Sequence, residues 1–179
     1  MRVLGVDPGS LATGWGLVEG SSARPSLVGC GVIRLPAGIG FAERLARLHA
    51  EFDELISRLQ PAVAAVEAPF HGASARSALQ LAHARGVVLA VLAGHGIEVA
   101  ECSPAAVKKS VTGNGRAEKA QVRRMVCQLL GAGAEGQRDD ATDALAVALF
   151  QQTAAGVHAA VRRTERRPRP LKRPKEPRA

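Results

Sequence analysis

The sequence predicts a mixed α/β fold in which helices cover a five-stranded sheet. Short apolar runs at Val3–Val6 and Ala62–Val66 have the length of buried strands, and each ends in an acid. Around them, apolar positions recur at helical steps of three and four. The resulting order, three strands and then helices alternating with single strands before a helical end, fits helices packed on a sheet.

Each element has a local reason. Val3–Val6 is too short for a helix and stops at Asp7-Pro8-Gly9, a turn sequence. Thr13–Val18 and Leu27–Arg34 read as strands, with Gly20-Ser21-Ser22 and Pro25 between them, so the first three strands form an antiparallel meander. Phe41, Leu45, Leu48, Phe52, Leu55, Ile56 and Leu59 line one face of a helix that Pro61 stops. Ala62–Val66 is the fourth strand and ends at Glu67. Ser74–Leu92 is an Ala-rich helix, expected to be interrupted near Gly86. Ile97–Ala100 is the fifth strand. Ser103-Pro104 pairs an N-cap with proline at the first helical position. Gly113-Asn114-Gly115 is a loop, 117–130 a helix, Gly131–Gln137 a loop and Ala141–Gln152 the last helix.

The 179 residues are 46% apolar, enough for one sizeable core but too few for two large domains. No apolar run was expected to reach the ~20 residues of a membrane span, and the N-terminus lacks the pattern of a signal peptide. Cys30, Cys102 and Cys127 are far apart with no C-x-x-C spacing, which argues against a disulfide framework or zinc knuckle and fits a reducing, cytoplasmic location. The net charge of +8 is unevenly spread: residues 156–179 hold nine basic and two acidic side chains and four of the ten prolines. A single folded body at 1–155 followed by a disordered basic tail at 156–179 is the expected organisation. Such a tail suits contact with nucleic acid.

Four acids stand where chemistry is done. Asp7 and Glu67 close two strands, and ligands of open α/β sheets bind at the carboxyl ends of strands. Asp140 and Asp143 are three residues apart at the start of a helix and share a face. Asp140 would also serve as an ordinary N-cap, and Asp139 could replace it through i, i+4 pairing with Asp143. If the four meet, their mutual repulsion calls for cations. Oxygen-only ligands select hard divalent ions such as magnesium or manganese, and two of them balance four carboxylates. Paired ions of this kind are a recurrent device for phosphodiester hydrolysis. The five histidines show no metal-ligand spacing.

The segments LGVDPGSLATGWGLV, VEAPF, SALQLAHARG, GNGRAEKAQV and DDATDALAVAL, in that order over residues 1–153, resemble the RuvC family of Holliday-junction resolvases. The resemblance implies a ribonuclease H-like fold, a homodimer with two active sites, and magnesium- or manganese-dependent nicking of two like-polarity strands of four-way junction DNA, with two ions per site. It places the catalytic, metal-binding acids on Asp7, Glu67, Asp140 and Asp143. It also implies that Phe70 stacks on unpaired bases, that Lys108 and Lys119 approach the scissile phosphate, and, more loosely, that Arg76 and Arg116 reach DNA. The dimer contact falls near the helix presenting Ala78, Leu81, Ala82 and Arg85, and the RuvA–RuvB branch-migration proteins are the implied partners. Three other classes compete. An actin-like ATPase needs two such domains and a later Gly-rich motif; a non-catalytic binder would rely on the basic tail; another ribonuclease H-like enzyme would cut RNA–DNA hybrids.

Overall fold

The computed structural model describes residues 1–68, 74–134 and 136–165. Five strands form one sheet among these residues: β1 (Val3–Asp7), β2 (Ala12–Ser21), β3 (Arg24–Arg34), β4 (Val63–Glu67) and β5 (Glu98–Cys102). Their order is β3-β2-β1-β4-β5. The first three run antiparallel, as the short connections predict, whereas β4 and β5 join parallel to β1. The helices are α1 (Phe41–Leu59), α2 (Ala75–Gly94), α3 (Pro104–Thr112), α4 (Lys119–Leu130) and α5 (Asp139–Glu165), with one 3-10 turn at Ala132–Ala134.

Strand alternation divides the core into two layers. On β1, Leu4 and Val6 point to one face, where they meet Phe52 and Ile56 of α1 and Val88 and Leu92 of α2. Val3 points to the other face, toward Val107 of α3, Val126 of α4 and Leu145 and Leu149 of α5. Asp7 has the parity of Val3. On β4, Val63 and Ala65 belong to this second layer, so Glu67 does too. The register Val3↔Val63 through Val6↔Val66 then sets the two acids side by side at one end of adjacent strands.

Helix α5 lies unusually close to the sheet because three glycines make room for it. A Cβ built on Gly5 would overlap the carbonyl oxygen of Ala144 and the amide nitrogen of Ala148. One on Gly14 would overlap the carbonyl oxygen of Asp140, and one on Gly16 would stand 2.7 Å from Leu145 Cδ2. The helix backbone, not merely its side chains, fills the space over β1 and β2.

Several expectations change in detail. The hairpin between β2 and β3 is tighter than expected: Ser21 pairs with Arg24, leaving a two-residue turn. Gly20 (φ +97°) sits opposite Pro25, inside the ladder rather than in the turn. Pro25 is tolerated because β3 is an edge strand. Helix α2 runs unbroken through Gly86, since one glycine costs only ~1 kcal/mol in a helix whose inner face is packed. By length and composition α2 also reaches the level of a membrane span, with a mean hydropathy of 1.3 in its most apolar window, contrary to the sequence reading. Its many alanines raise that mean, yet Ala84, Val88, Val91 and Leu92 are buried in the core. Helix α4 begins at Lys119 because Glu118 and Gln121 form a capping box. Helix α5 starts at Asp139 and continues past the expected end at Gln152 and past residue 155, through the Ala-rich stretch 154–160.

Gly5→Ala should therefore lower stability by at least about 1–3 kcal/mol, the usual range for overpacking, because backbone rather than a flexible side chain must yield. Gly38→Ala, where a Cβ meets nothing within 4 Å, is the control and should stay within about 0.5 kcal/mol of the parent. Urea denaturation measures both; equal midpoints for the two variants would show that α5 can back away freely.

Candidate active site

A cavity of about 430 Å³ opens at the carboxyl ends of β1 and β4. Asp7 and Glu67 form its floor, Asp143 projects from α5, and Lys108 of α3 and Lys119 of α4 complete the rim. Pro104, Val107, Val122 and Ala146 supply the apolar wall. A second, smaller recess of about 190 Å³ shares Asp7 and Glu67 and is bounded by Leu81 and Arg85 of α2.

The electrostatics follow from crowding like charges in a half-buried pocket. The pKa of Asp7 rises from 3.8 to about 8, first through burial, then through repulsion from Glu67 and Asp143, a proton shared with Glu67, and the charge of Asp140. Glu67 is also raised, chiefly by burial. The shared proton with Asp7 and the ammonium groups of Lys119 and Lys108 pull it the other way. Asp7 thus carries the proton and Glu67 accepts it. Lys119 donates to Asp143 Oδ2 at 3.1 Å, and this bond raises the lysine pKa and keeps it cationic. Burial pushes the Cys102 thiol, next to Glu67 across the sheet, up to about 12, which makes it packing material rather than a nucleophile.

The structure separates the two adjacent aspartates. Asp139 turns away to Arg123 of α4, whose guanidinium donates to Asp139 Oδ1 at 2.9 Å and to the Gln137 carbonyl at 3.2 Å. Its side chain is 69% exposed. Asp140 is the one whose charge is felt by Asp7. Neither is the N-cap: α5 begins at Asp139, with the Arg138 carbonyl accepting from the Thr142 amide. Two interhelical ion pairs, Lys119–Asp143 and Arg123–Asp139, therefore fix the first two turns of α5 against α4.

Of the residues expected to act, Asp7, Glu67, Asp143, Lys108 and Lys119 line one cavity, and Asp140 lies close behind. Arg116 and Arg76 are exposed and line neither recess. Phe70 lies outside the described residues. Leu81 and Arg85 face inward rather than outward; the exposed stripe of α2 is Ala78, Ala82, Gly86 and Ala90. Among the described residues no three acids are already drawn around a single ion position. The donor set nonetheless fits hard cations: it is all carboxylate oxygen, and burial together with mutual repulsion holds a proton on Asp7 that a divalent ion would displace.

The comparisons agree with this geometry. The family model for crossover junction endodeoxyribonuclease RuvC matches residues 3–151. The RuvC crossover junction endodeoxyribonuclease of Azorhizobium caulinodans is 48% identical over 149 residues, covering 83% of this chain and 88% of that protein. That of Moorella thermoacetica is 46% identical over 149 residues, covering 83% and 89%. Thermus thermophilus RuvC, solved in complex with Holliday junction substrate, superposes with a TM-score of 0.83 at 31% identity, over 88% of this chain and 96% of that one. The fold is accordingly the ribonuclease H-like one that the resemblance implied. With the matched region spanning β1 through the first half of α5, and so every element that builds the pocket, the chain belongs to the RuvC family of crossover junction endodeoxyribonucleases.

Proposed function

We propose that this chain resolves four-way DNA junctions by nicking two symmetry-related strands, with Asp7, Glu67, Asp140 and Asp143 as the catalytic acids. The observation that carries the reading is the convergence of acids from β1, β4 and α5 on one cavity rimmed by two lysines. Those four carboxylates would hold two hard divalent cations, magnesium or manganese, which activate water for attack and offset charge on the scissile phosphate. The lysines act at the rim. Lys119 stays protonated through its bond to Asp143, and Lys108 is half-buried beside Glu67, so both offer positive charge to a phosphodiester entering the pocket. The apolar wall of Val107, Val122 and Ala146 limits water around the reacting phosphate. Arg76, Arg116 and Phe70 would contact DNA beyond the pocket.

Two nicks need two sites, and a two-fold dimer presents them to a two-fold junction. The exposed Ala78–Ala82–Gly86–Ala90 stripe on α2 supports that helix as the self-contact, because small residues allow close approach of two helices. The cytoplasm and cooperation with RuvA–RuvB complete the proposed setting.

A labelled four-way junction, a linear duplex and an RNA–DNA hybrid, each tested with magnesium, manganese or chelator, distinguish the readings. Paired symmetric nicks in the junction alone, abolished by chelator and by Asp7→Asn, are expected. Cleavage of the hybrid in preference would overturn the junction assignment, and full activity of folded Asp7→Asn would overturn the site.

The pKa of Asp7 gives a second test. The folded chain holds this proton more tightly than the unfolded chain between pH 3.8 and about 8, so the site's contribution to stability falls as pH rises through that window. In chelator, Asp7→Asn should match the parent in thermal denaturation near pH 4 and exceed it near pH 8. A gain that shrank with rising pH would contradict the crowding of acids.

On the dimer, Ala82→Glu sets like charges against each other across a two-fold contact. Sedimentation should report a monomer of parental circular dichroism whose junction products are single nicks; an unchanged dimer would move the interface off α2.

A further inference from the structure

Glu67 is held from the side opposite to its carboxylate. Its side chain belongs to the α5 layer, but its peptide is gripped from the α2 layer. The Arg85 Nε donates to the Glu67 carbonyl oxygen at 3.4 Å. The next peptide is tied as well, the Ala68 amide donating to the Cys102 carbonyl at 2.8 Å. Arg85 itself is 15% exposed and is steadied by Glu101 of β5, with Nη2 2.7 Å from Glu101 Oε2. That contact is ionic rather than a directed hydrogen bond, since Nη2 is buried without a well-aligned acceptor. Glu101 shares the parity of Val99, which packs in the α2 layer, so the pairing follows from strand alternation.

The position of Arg85 on its helix gives the clasp a reach beyond the pocket. Ala84 beside it is fully buried, while Ala82 and Gly86 on either side are exposed on the outer face of α2. A guanidinium is suited to this task because its planar fork can serve a carbonyl and a carboxylate together, whereas an ammonium is a single point charge.

We propose that Arg85 is a positioning residue. It sets the exit of β4, and hence the Glu67 carboxylate, relative to Asp7, and it ties the catalytic pocket to the outer face of α2. The inference rests on the nuclease reading above and extends it to a residue whose contacts are the Glu67 carbonyl and Glu101 rather than a carboxylate of the pocket.

The test compares parent, Arg85→Met, Arg85→Lys and Glu101→Gln. Two readouts are used: manganese-dependent thermal stabilisation without DNA, and single-turnover cleavage of a saturating four-way junction. Arg85→Met should raise the manganese midpoint about tenfold and slow cleavage about tenfold, the usual scale for losing a group that orients a ligand, with junction affinity in calcium unchanged. Arg85→Lys, which keeps the charge and loses the fork, should recover less than half of the loss, and Glu101→Gln should show a smaller shift of the same sign. If Arg85→Met melts at a lower temperature yet keeps the parental manganese midpoint and saturated rate, the residue is only structural and the proposal is wrong. Should Arg85→Met fail to fold, parental behaviour of both Arg85→Lys and Glu101→Gln overturns it equally. A parent that binds manganese but leaves the junction uncut would refute the nuclease reading, while the manganese midpoints would still decide the role of Arg85.

Discussion

The contact between the α5 backbone and the glycines of β1 and β2 governs the rest of the structure. Gly5, Gly14 and Gly16 have the parity that faces α5, and each stands under helix atoms that no side chain would admit. This close approach brings Asp140 and Asp143 down to the level of Asp7 and Glu67. Were the helix held at the ~10 Å spacing of side-chain-mediated packing, the acids on its first turns would stand above the strand ends rather than beside them. The clustered acids are therefore placed by residues that have no side chain at all.

Around that contact, charge is arranged to be tolerable. Three carboxylates in a partly buried pocket, with a fourth close behind, are costly. Lys119 offsets Asp143, a proton offsets Asp7, and Arg123 draws Asp139 out of the crowd. The ion pairs between α4 and α5 engage Asp143 and Asp139, while Asp140 stands over Gly14 of β2. The crowding holds a proton on Asp7, so the cluster costs stability as pH rises toward 8.

Much of this was legible in the residues alone, because the signals were local. Apolar runs of strand length, Pro61, the Ser103-Pro104 cap and the helical period of α1 act within a few residues, and the structure reproduces the elements they imply. The ordered motifs pointed to the four acids, and spacing left Asp139 and Asp140 unresolved. The choice between them needed Arg123, a residue on another helix with no sequence mark. The continuity of α2 through Gly86 and the length of α5 were missed for a related reason: glycine and charge weigh against a helix locally, and packing overrides them. The clasp formed by Arg85 has no local mark either, since its partner Glu101 comes from β5.

Both margins of the sheet are poorly suited to accepting another strand. On β3, Pro25 lacks an amide to offer a newcomer, and the register shift between Leu17 and Val18 on neighbouring β2 disturbs the regularity of the ladder. On β5, Glu98 and Glu101 put a charge on each face of a strand of only five residues. Copies of this chain are thereby discouraged from zipping together through their main chains, an outcome that would bury the strand ends in aggregates and close the cleft to a branched polymer. The helix surfaces, by contrast, can be covered without altering the sheet.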